Sequence, residues 1–291
     1  MKKARLILLI KILFLSCIFL FLCYIGSYYV IIPALICLIY GFIEPYLVEE
    51  KKTYITNDKI PGNFKNFKIL FISDIHHGVV YSKARVQALV KRINDQNPDI
   101  ILLGGDYVDQ KKYISSLFSE LKKFKSKHGV YGVLGNHDHG ADPKEIISAM
   151  KEAGITCLNN RAIWLSIGIN RIRIGGVGDF WRDTPDITPI IKDVKKEFVI
   201  LLSHNPDYAE EIKTGKIDLV LSGHTHGGQG TIFGLWAPFI PSIYGQKYRT
   251  GLIKAPRTKV LVSNGIGNVA CCIPIRFFAR PQINIIYLNK N

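Results

Sequence analysis

Five short islands in this chain carry side chains able to do metal chemistry: Asp74-Ile75-His76, Gly105-Asp106-Tyr107-Val108-Asp109, Gly135-Asn136-His137-Asp138, Ser203-His204-Asn205 and Gly223-His224-Thr225-His226. Carboxylate, imidazole and carboxamide together suit borderline divalent metals such as manganese, iron, cobalt or zinc. A single histidine is ordinarily a structural residue held by its own hydrogen bonds. Five of the eight histidines fall inside the islands, so a shared site is the better reading. His77, His128 and His139 are read as structural, although His77 and His139 border the islands.

Such a site needs elements that bring distant segments together. Each island ends or follows an apolar run, such as 68–73 or 99–104, bounded by Gly or polar residues. Runs of that kind read as buried strands. In an α/β sheet the carboxyl ends of the strands converge on one crevice, so ligands far apart in sequence can meet there. The pattern predicts strands over 68–73, 99–104, 129–134, 197–203 and 217–222. Helices are expected over about 82–96, 112–125, 142–153 and 206–213. Shorter β runs fall near 155–158, 162–168 and 171–178, and the C-terminal part is mostly β, with runs at 259–263 and 283–287.

The order D-x-H, G-D-x-x-D, G-N-H-D, H, G-H-x-H resembles the signature of the calcineurin-like metallophosphoesterases, over about residues 68 to 230. Downstream, Gly227-Gly228-Gln229, Pro241-Ser242-Ile243-Tyr244-Gly245, Ile275-Arg276-Phe277 and Arg280-Pro281 look like the membrane-associated branch of that family. That branch includes cell-envelope phosphodiesterases and UDP-2,3-diacylglucosamine hydrolases. The resemblance implies a four-layer α/β/β/α sandwich, which periodicity alone does not specify. It also implies two divalent metals, manganese above iron, cobalt or zinc. One would be held by Asp74, His76, Asp106 and His226, the other by Asp106, Asn136, His204 and His224.

Two metals about 3.5–4 Å apart can clamp a bridging hydroxide and a phosphoryl oxygen for in-line attack on phosphorus. Asp106 follows two glycines at a strand end, where its two oxygens could serve one metal each. The i, i+2 spacing of His224 and His226 would aim both rings to one side in extended backbone. His137 is the candidate for stabilising or protonating the leaving oxygen. Asp109 is expected to orient His137 or a ligand, and Asp138 to accept hydrogen bonds behind the site. Arg249, Arg276 and Arg280 are candidate phosphate contacts through bidentate guanidinium bonds.

From Leu6 to Ile43 the only charge is Lys11, long enough for one tilted membrane helix or two short ones. Residues 1–45 are therefore read as a transmembrane segment, with 46–66 a linker and 67–291 the catalytic domain. Gly26-Ser27, with Pro33 beyond, would permit a hairpin; Lys2, Lys3 and Arg5 would keep the N-terminus cytoplasmic. One helix would then place the catalytic domain outside; two, the preferred reading, return it to the cytoplasmic face of the cell membrane. The chain carries a net charge of +15, of which about +14 lies beyond residue 50. A basic face suits an anionic leaflet, and it also suits a merely solvated surface. The six cysteines show no disulfide spacing: Cys17, Cys23 and Cys37 are in the apolar segment, Cys157 is isolated, and Cys271-Cys272 are adjacent.

The stretch 230–250 carries Phe233, Trp236, Phe239 and Tyr244 among prolines and glycines. It reads either as packing beneath a loop or as an apolar surface for acyl chains or a lipid interface. The expected activity is a membrane-anchored phosphodiester or pyrophosphate hydrolase acting on a lipid-linked or nucleotide-linked ester. The specific case is UDP-2,3-diacylglucosamine, cut to UMP and the lipid monophosphate as in lipid A synthesis. Another phospholipid or cell-wall phosphodiester is the alternative within that class. A nuclease is less favoured, since no zinc finger, RNP-type motif or basic–aromatic stripe is present. A metal-bearing scaffold without turnover would be expected to have lost a ligand.

Overall fold

The computed structural model of the chain describes residues 2–24, 28–268 and 274–291. Two units emerge, the first ending at Ile43 and the second running from Glu44 to Asn291. Helices α1 (Lys2–Tyr24) and α2 (Tyr28–Ile43) make up the first. Apolar residues surround α2 without a polar stripe, the pattern of a helix that meets no water on any side. The stretch Tyr29–Tyr46 is long and apolar enough to cross a membrane, by length and composition only, and Ile10–Phe21 is a shorter apolar stretch. Pro33 lies inside α2. The turn expected at Gly26-Ser27 and the pair Cys271-Cys272 lie outside the described residues.

In the second unit, β1 (Glu49–Thr56) occupies part of what was expected to be a linker over 46–66. That expectation is corrected. The run Glu-Glu-Lys-Lys-Thr-Tyr-Ile-Thr lacks an apolar pattern because it forms a sheet edge, where charges discourage further pairing; only Ile55 in it is buried. There follow β2 (Phe67–Ile72), α3 (Lys83–Asp95), β3 (Ile100–Leu103), α4 (Ile114–Leu121), β4 (Val130–Gly132), α5 (Asn136–Ala141), α6 (Pro143–Glu152) and β5 (Ile155–Cys157). The second half continues with β6 (Arg161–Ile167), β7 (Asn170–Gly176), α7 (Thr188–Ile191), β8 (Val199–Leu202), α8 (Tyr208–Glu211) and β9 (Leu219–Ser222). It closes with β10 (Gly251–Lys254), β11 (Lys259–Val262) and β12 (Gln282–Asn289).

Among the described residues the strands form two six-stranded sheets, ordered β1-β12-β2-β3-β4-β5 and β10-β11-β9-β8-β7-β6. Alternation along each strand builds the layers. Ile69 and Phe71 of β2 face inward, onto Ile200 and Leu202 of β8 and Leu219 and Leu221 of β9, in one inter-sheet core. Leu70 and Ile72 face outward, among Val86 and Leu89 of α3, Leu117 of α4 and Ile146 and Met150 of α6. On the other side, Val199, Leu201 and Val220 pack with Ile190 of α7 and Ala209 of α8. The result is an α/β/β/α sandwich, the architecture that the resemblance implied. Central strands are covered on both faces, which is why they read as unbroken apolar runs.

Differences are local. The helices expected over 112–125 and 206–213 shrink to Ile114–Leu121 and Tyr208–Glu211. Helix α5 was not expected, being short, polar and capped by Gly135, whose N–H donates to Asp138 Oδ2 at 2.8 Å. Strand β10 was not expected either. Strands β2, β3 and β4 run parallel in one sheet, and β7, β8, β9 and β11 in the other. Five of their carboxyl ends run into the five islands.

Ile286 of β12 is wholly buried in the inter-sheet core, whereas Ile169 at the β6–β7 turn is fully exposed. Ile286→Ala is expected to cost about 2–5 kcal/mol in denaturant unfolding. Ile169→Ala should stay within about 0.5 kcal/mol. Equal costs would contradict this packing.

Candidate metal centre

Five of the seven candidate ligands sit in left-handed backbone: Asp74 (φ 54°), His76 (46°), Asp106 (55°), His224 (69°) and His226 (51°). Each such residue costs on the order of 1 kcal/mol, and such strain gathers at functional sites. It turns the chain sharply where each strand ends and aims the side chain back across the sheet ends. The extended backbone expected for His224 and His226 is therefore corrected, since Thr225 between them is helical (φ −82°, ψ −12°). Glycine at 105 is required twice over. Its φ is 91°, and a Cβ there would lie 2.5 Å from Gly135 N.

These turns bring together two groups of ligand atoms. In one, Asp74, His76 and His226 have ligand atoms within 4.8 Å of one another; in the other, Asp106, His204 and His224 do. A third group, His76, Asp106 and His137, joins them, sharing His76 with the first and Asp106 with the second. Asp106 Oδ2 lies 3.2 Å from His204 Nε2 and 3.5 Å from His76 Nε2. His226 Nε2 lies 3.3 Å from Asp74 Oδ1, and Asn136 Oδ1 lies 3.2 Å from His204 Nε2. All seven predicted ligand positions thus lie in one place, and His224 and His226 fall in different groups.

The donor set fits divalent cations. His76, His224 and His226 each bury an Nε2 with no hydrogen-bond partner. Leaving such atoms unfilled is costly. Two of the histidines are held from behind through Nδ1: His76 by Asp109 Oδ1 at 3.0 Å and His204 by the Gly104 carbonyl at 2.7 Å. That arrangement turns the Nε2 lone pairs toward the centre. Burial pushes His224 down to about 3 and His226 down to about 4, so both are neutral. Burial works to raise Asp74 and Asp106, yet the surrounding histidines together outweigh it, His226 and His204 for Asp74 and His204, His76 and His137 for Asp106, and both carboxyls are lowered. Neutral imidazole and ionised carboxylate are the forms that bind metal. Burial likewise opposes charge on His204, but Asp106 lifts it well above its ordinary range. The pocket draws positive charge.

The supporting residues divide clearly. Asp109 orients His76, a candidate ligand, rather than His137. Asp138 accepts from Asp106 N, Tyr107 N and Gly135 N, each at 2.8 Å, and burial lifts its carboxyl to about 7. The His137 amide donates to Asp106 Oδ1 at 2.8 Å, and its half-buried ring stands edge-on to His76 at 4.7 Å. His77 is structural, held by the Tyr81 carbonyl at 2.7 Å and Ser116 Oγ at 3.1 Å. One residue was missed: Trp181 stands edge-on to His224 with ring centres 4.3 Å apart. Its amide donates to Asp179 Oδ1 at 3.0 Å. The available signal was Gly178-Asp179, a glycine and an aspartate just past strand β7, the same arrangement as the islands.

A cleft of about 610 Å³ opens onto the centre, walled by Asp106, Asn136, His137, His224 and His226 and by Trp181, Pro238, Phe239, Pro241 and Ile275. No Lys or Arg lines it among the described residues. The three arginines expected to bind phosphate are thereby corrected. Arg249 Nη2 donates to the Gly234 carbonyl at 2.7 Å, and Arg280 is exposed and lines no part of the cleft. Arg276 is wholly buried, donating to the Ala279 carbonyl at 2.8 Å, to Asn268 Oδ1 at 3.3 Å and to the Gly267 carbonyl, with Nη2 3.3 Å from His226 Nδ1. Arg276→Met should lower the thermal midpoint, since it strands buried acceptors at about 1–3 kcal/mol each. A raised KM with an unchanged midpoint would restore the phosphate-binding role.

Comparison with known proteins agrees with this geometry. The family described as calcineurin-like phosphoesterase matches residues 67–228. The uncharacterized metallophosphoesterase YkuE of Bacillus subtilis is 30% identical over 86% of this chain and 88% of its own. The phosphodiesterase YaeI of Escherichia coli is 30% identical over 85% of this chain and 89% of its own. An uncharacterized metallophosphoesterase of Helicobacter pylori is 35% identical over 82% of this chain but only 63% of its own length. The left-handed strand-end turns, the paired ligand groups and these matches agree, and the chain belongs to the calcineurin-like phosphoesterase family.

Proposed function

We propose that this chain is a membrane-anchored two-metal phosphodiesterase, with manganese the preferred metal, acting on a lipid-linked or nucleotide-linked phosphodiester or pyrophosphate. One observation carries the reading. Two ligand groups, one of Asp74, His76 and His226 and one of Asp106, His204 and His224, meet where Asp106 approaches His76, on a cleft whose wall beyond the ligands is mostly apolar and lacks Lys and Arg among the described residues. Divalent cations, when bound, supply the Lewis acidity that polarises a phosphoryl oxygen and activates a water for attack on phosphorus. Asp74, His76, Asp106 and His226 would hold one, and Asp106, Asn136, His204 and His224 the other. Asn136 is neutral, so the centre repels an anionic ester less than a carboxylate would.

His137 faces the cleft beside Asp106 and His76, where its ring can stabilise or protonate the leaving oxygen. Asp109 holds His76 in one tautomer. Trp181 and Phe239 offer flat and apolar surface to the rest of the ester. UDP-2,3-diacylglucosamine, giving UMP and the lipid monophosphate, is the specific substrate proposed, and the apolar wall beside the ligands supports it. A nuclease would need a basic track for the phosphate backbone, which the cleft does not supply among the described residues. The apolar helices α1 and α2 support anchoring. With Lys2, Lys3 and Arg5 held in the cytoplasm, two spans would leave the metal centre on the cytoplasmic face.

The test is manganese-dependent hydrolysis of bis-p-nitrophenyl phosphate by the full chain in detergent. Asp106→Ala should abolish turnover and lower the bound metal. His137→Ala should retain the metal and slow turnover by about 10²–10⁴, and Asp109→Asn should cost about 10–100-fold in metal affinity or rate. Full activity in Asp106→Ala would overturn the two-metal reading, and full activity in His137→Ala its role at the leaving group. Chelation should lower the thermal midpoint and manganese should restore it, because the metal binds only the folded state.

A further inference from the structure

Ile232, Phe233, Leu235, Trp236, Phe239 and Ile243 all face water, with Leu235 80%, Phe233 75% and Phe239 74% exposed. Core packing, one of the two readings open for this stretch, is thereby excluded. A lone exposed Leu is ordinary; a contiguous group marks an interaction surface.

The stretch is braced through its backbone. Thr231 Oγ1 donates to the Phe277 carbonyl at 3.0 Å and accepts from Gly234 N at 2.9 Å. Gln246 and Ala237 exchange two hydrogen bonds, of 3.2 and 2.6 Å. Asp207 accepts from Ser242 Oγ at 2.5 Å and Ile243 N at 2.9 Å. With its polar groups tied down, the segment presents apolar side chains from a fixed frame.

Chain continuity identifies what covers it. The apolar helix α2 ends at Ile43, and the next residue, Glu44, is buried in the second unit. Its two oxygens accept from Phe278 N and Ala279 N, each at 2.6 Å. The Phe278 ring packs against Phe233 with centres 5.6 Å apart. The entry point of the chain from its apolar helix and the apolar loop therefore share one edge. Pro238, Phe239 and Pro241 of the same segment wall the cleft. Trp236 and Tyr244 are the residue types favoured at the headgroup level, and the exposed Arg280 lies two positions after Phe278, suited to a lipid phosphate.

We propose that residues 232–243 form a second membrane contact, a loop that enters the headgroup–acyl boundary, so that the cleft receives a lipid-borne phosphoester from the plane of the bilayer. The delivery half of this proposal rests on the hydrolase reading; the contact half does not.

The full chain is reconstituted into vesicles of equimolar phosphatidylcholine and phosphatidylglycerol, with and without brominated phosphatidylcholine as quencher. None of the three tryptophans, Trp164, Trp181 and Trp236, lies in α1 or α2. Bromolipid should quench the wild type, and most of that quenching should be lost in Trp236→Phe. Absent quenching, or equal quenching in both, overturns the contact. A concentration-dependent dimer in detergent that Leu235→Asp dissolves would assign the face to a second copy, and also overturns it. For delivery, Phe233→Asp/Leu235→Asp is assayed on bis-p-nitrophenyl phosphate and on phosphatidyl-p-nitrophenol in the same vesicles. The soluble diester should be cut within about twofold of wild type and the lipid ester at least about tenfold more slowly, as expected when interfacial insertion is lost. Unchanged rates on both, or equal losses on both, would overturn delivery. A wild type inactive on both esters would defeat the hydrolase reading, and with it delivery, while the quenching still decides the contact.

Discussion

Everything at the functional end of this fold depends on keeping one buried carboxylate charged. Asp106 is almost fully buried, and an isolated ionised carboxylate there would cost several kcal/mol. Its compensation comes from three other loops: His76 and His204 on Oδ2, and the His137 amide on Oδ1. Asp138 fixes it from behind by holding its own amide. None of these partners is near Asp106 in sequence, so the charge is tolerable only when both sheets are assembled. Divalent metal would strengthen the same balance, since the pocket already draws positive charge toward Asp106 and Asp74.

The sandwich supplies the rigidity that this needs. Left-handed turns at five candidate ligands store strain that no isolated loop would keep. They persist because each follows a strand buried on both faces and hydrogen-bonded to neighbours in register. The Asp74 amide donates to the Gly105 carbonyl at 2.9 Å, and those of His76 and His77 to the Asp106 and Tyr107 carbonyls at 3.1 and 2.9 Å. These bonds knit the first two islands into a continuation of the β2–β3 ladder. The centre is thus an extension of the sheet rather than a set of side chains on mobile loops.

A second organising contact lies at the other end of the cleft wall. Glu44 ties the start of the second unit to the segment behind Phe278, and Arg276 in that segment reaches both the Ala279 carbonyl and the edge of His226. The residues that follow the apolar helix, the apolar loop and one candidate ligand are therefore linked within a few hydrogen bonds. Pro45 and Tyr46 are held there as well, by Arg85, which donates to the Pro45 carbonyl at 2.5 Å and lies over the Tyr46 ring at 4.5 Å.

By itself, the sequence determined the ligand types, their order and the strands that end in them. Buried parallel strands are apolar runs, and a metal site needs particular donor atoms, so both leave a signature in residue type. The paired roles of Asp74, His76, Asp106, Asn136, His204, His224 and His226 came from the resemblance, and their grouping from the structure. Only the tertiary structure decided the rest. Strand β1 was hidden because an edge strand carries charge instead of apolar residues. Trp181 was hidden because one aromatic after a strand has no periodicity to mark it. Arg276 looked like a phosphate contact because sequence records a guanidinium without its burial or its carbonyl partners. The apolar loop could have faced inward or outward, since hydrophobicity is the same in both cases; exposure depends on what packs above it, which only the folded chain defines.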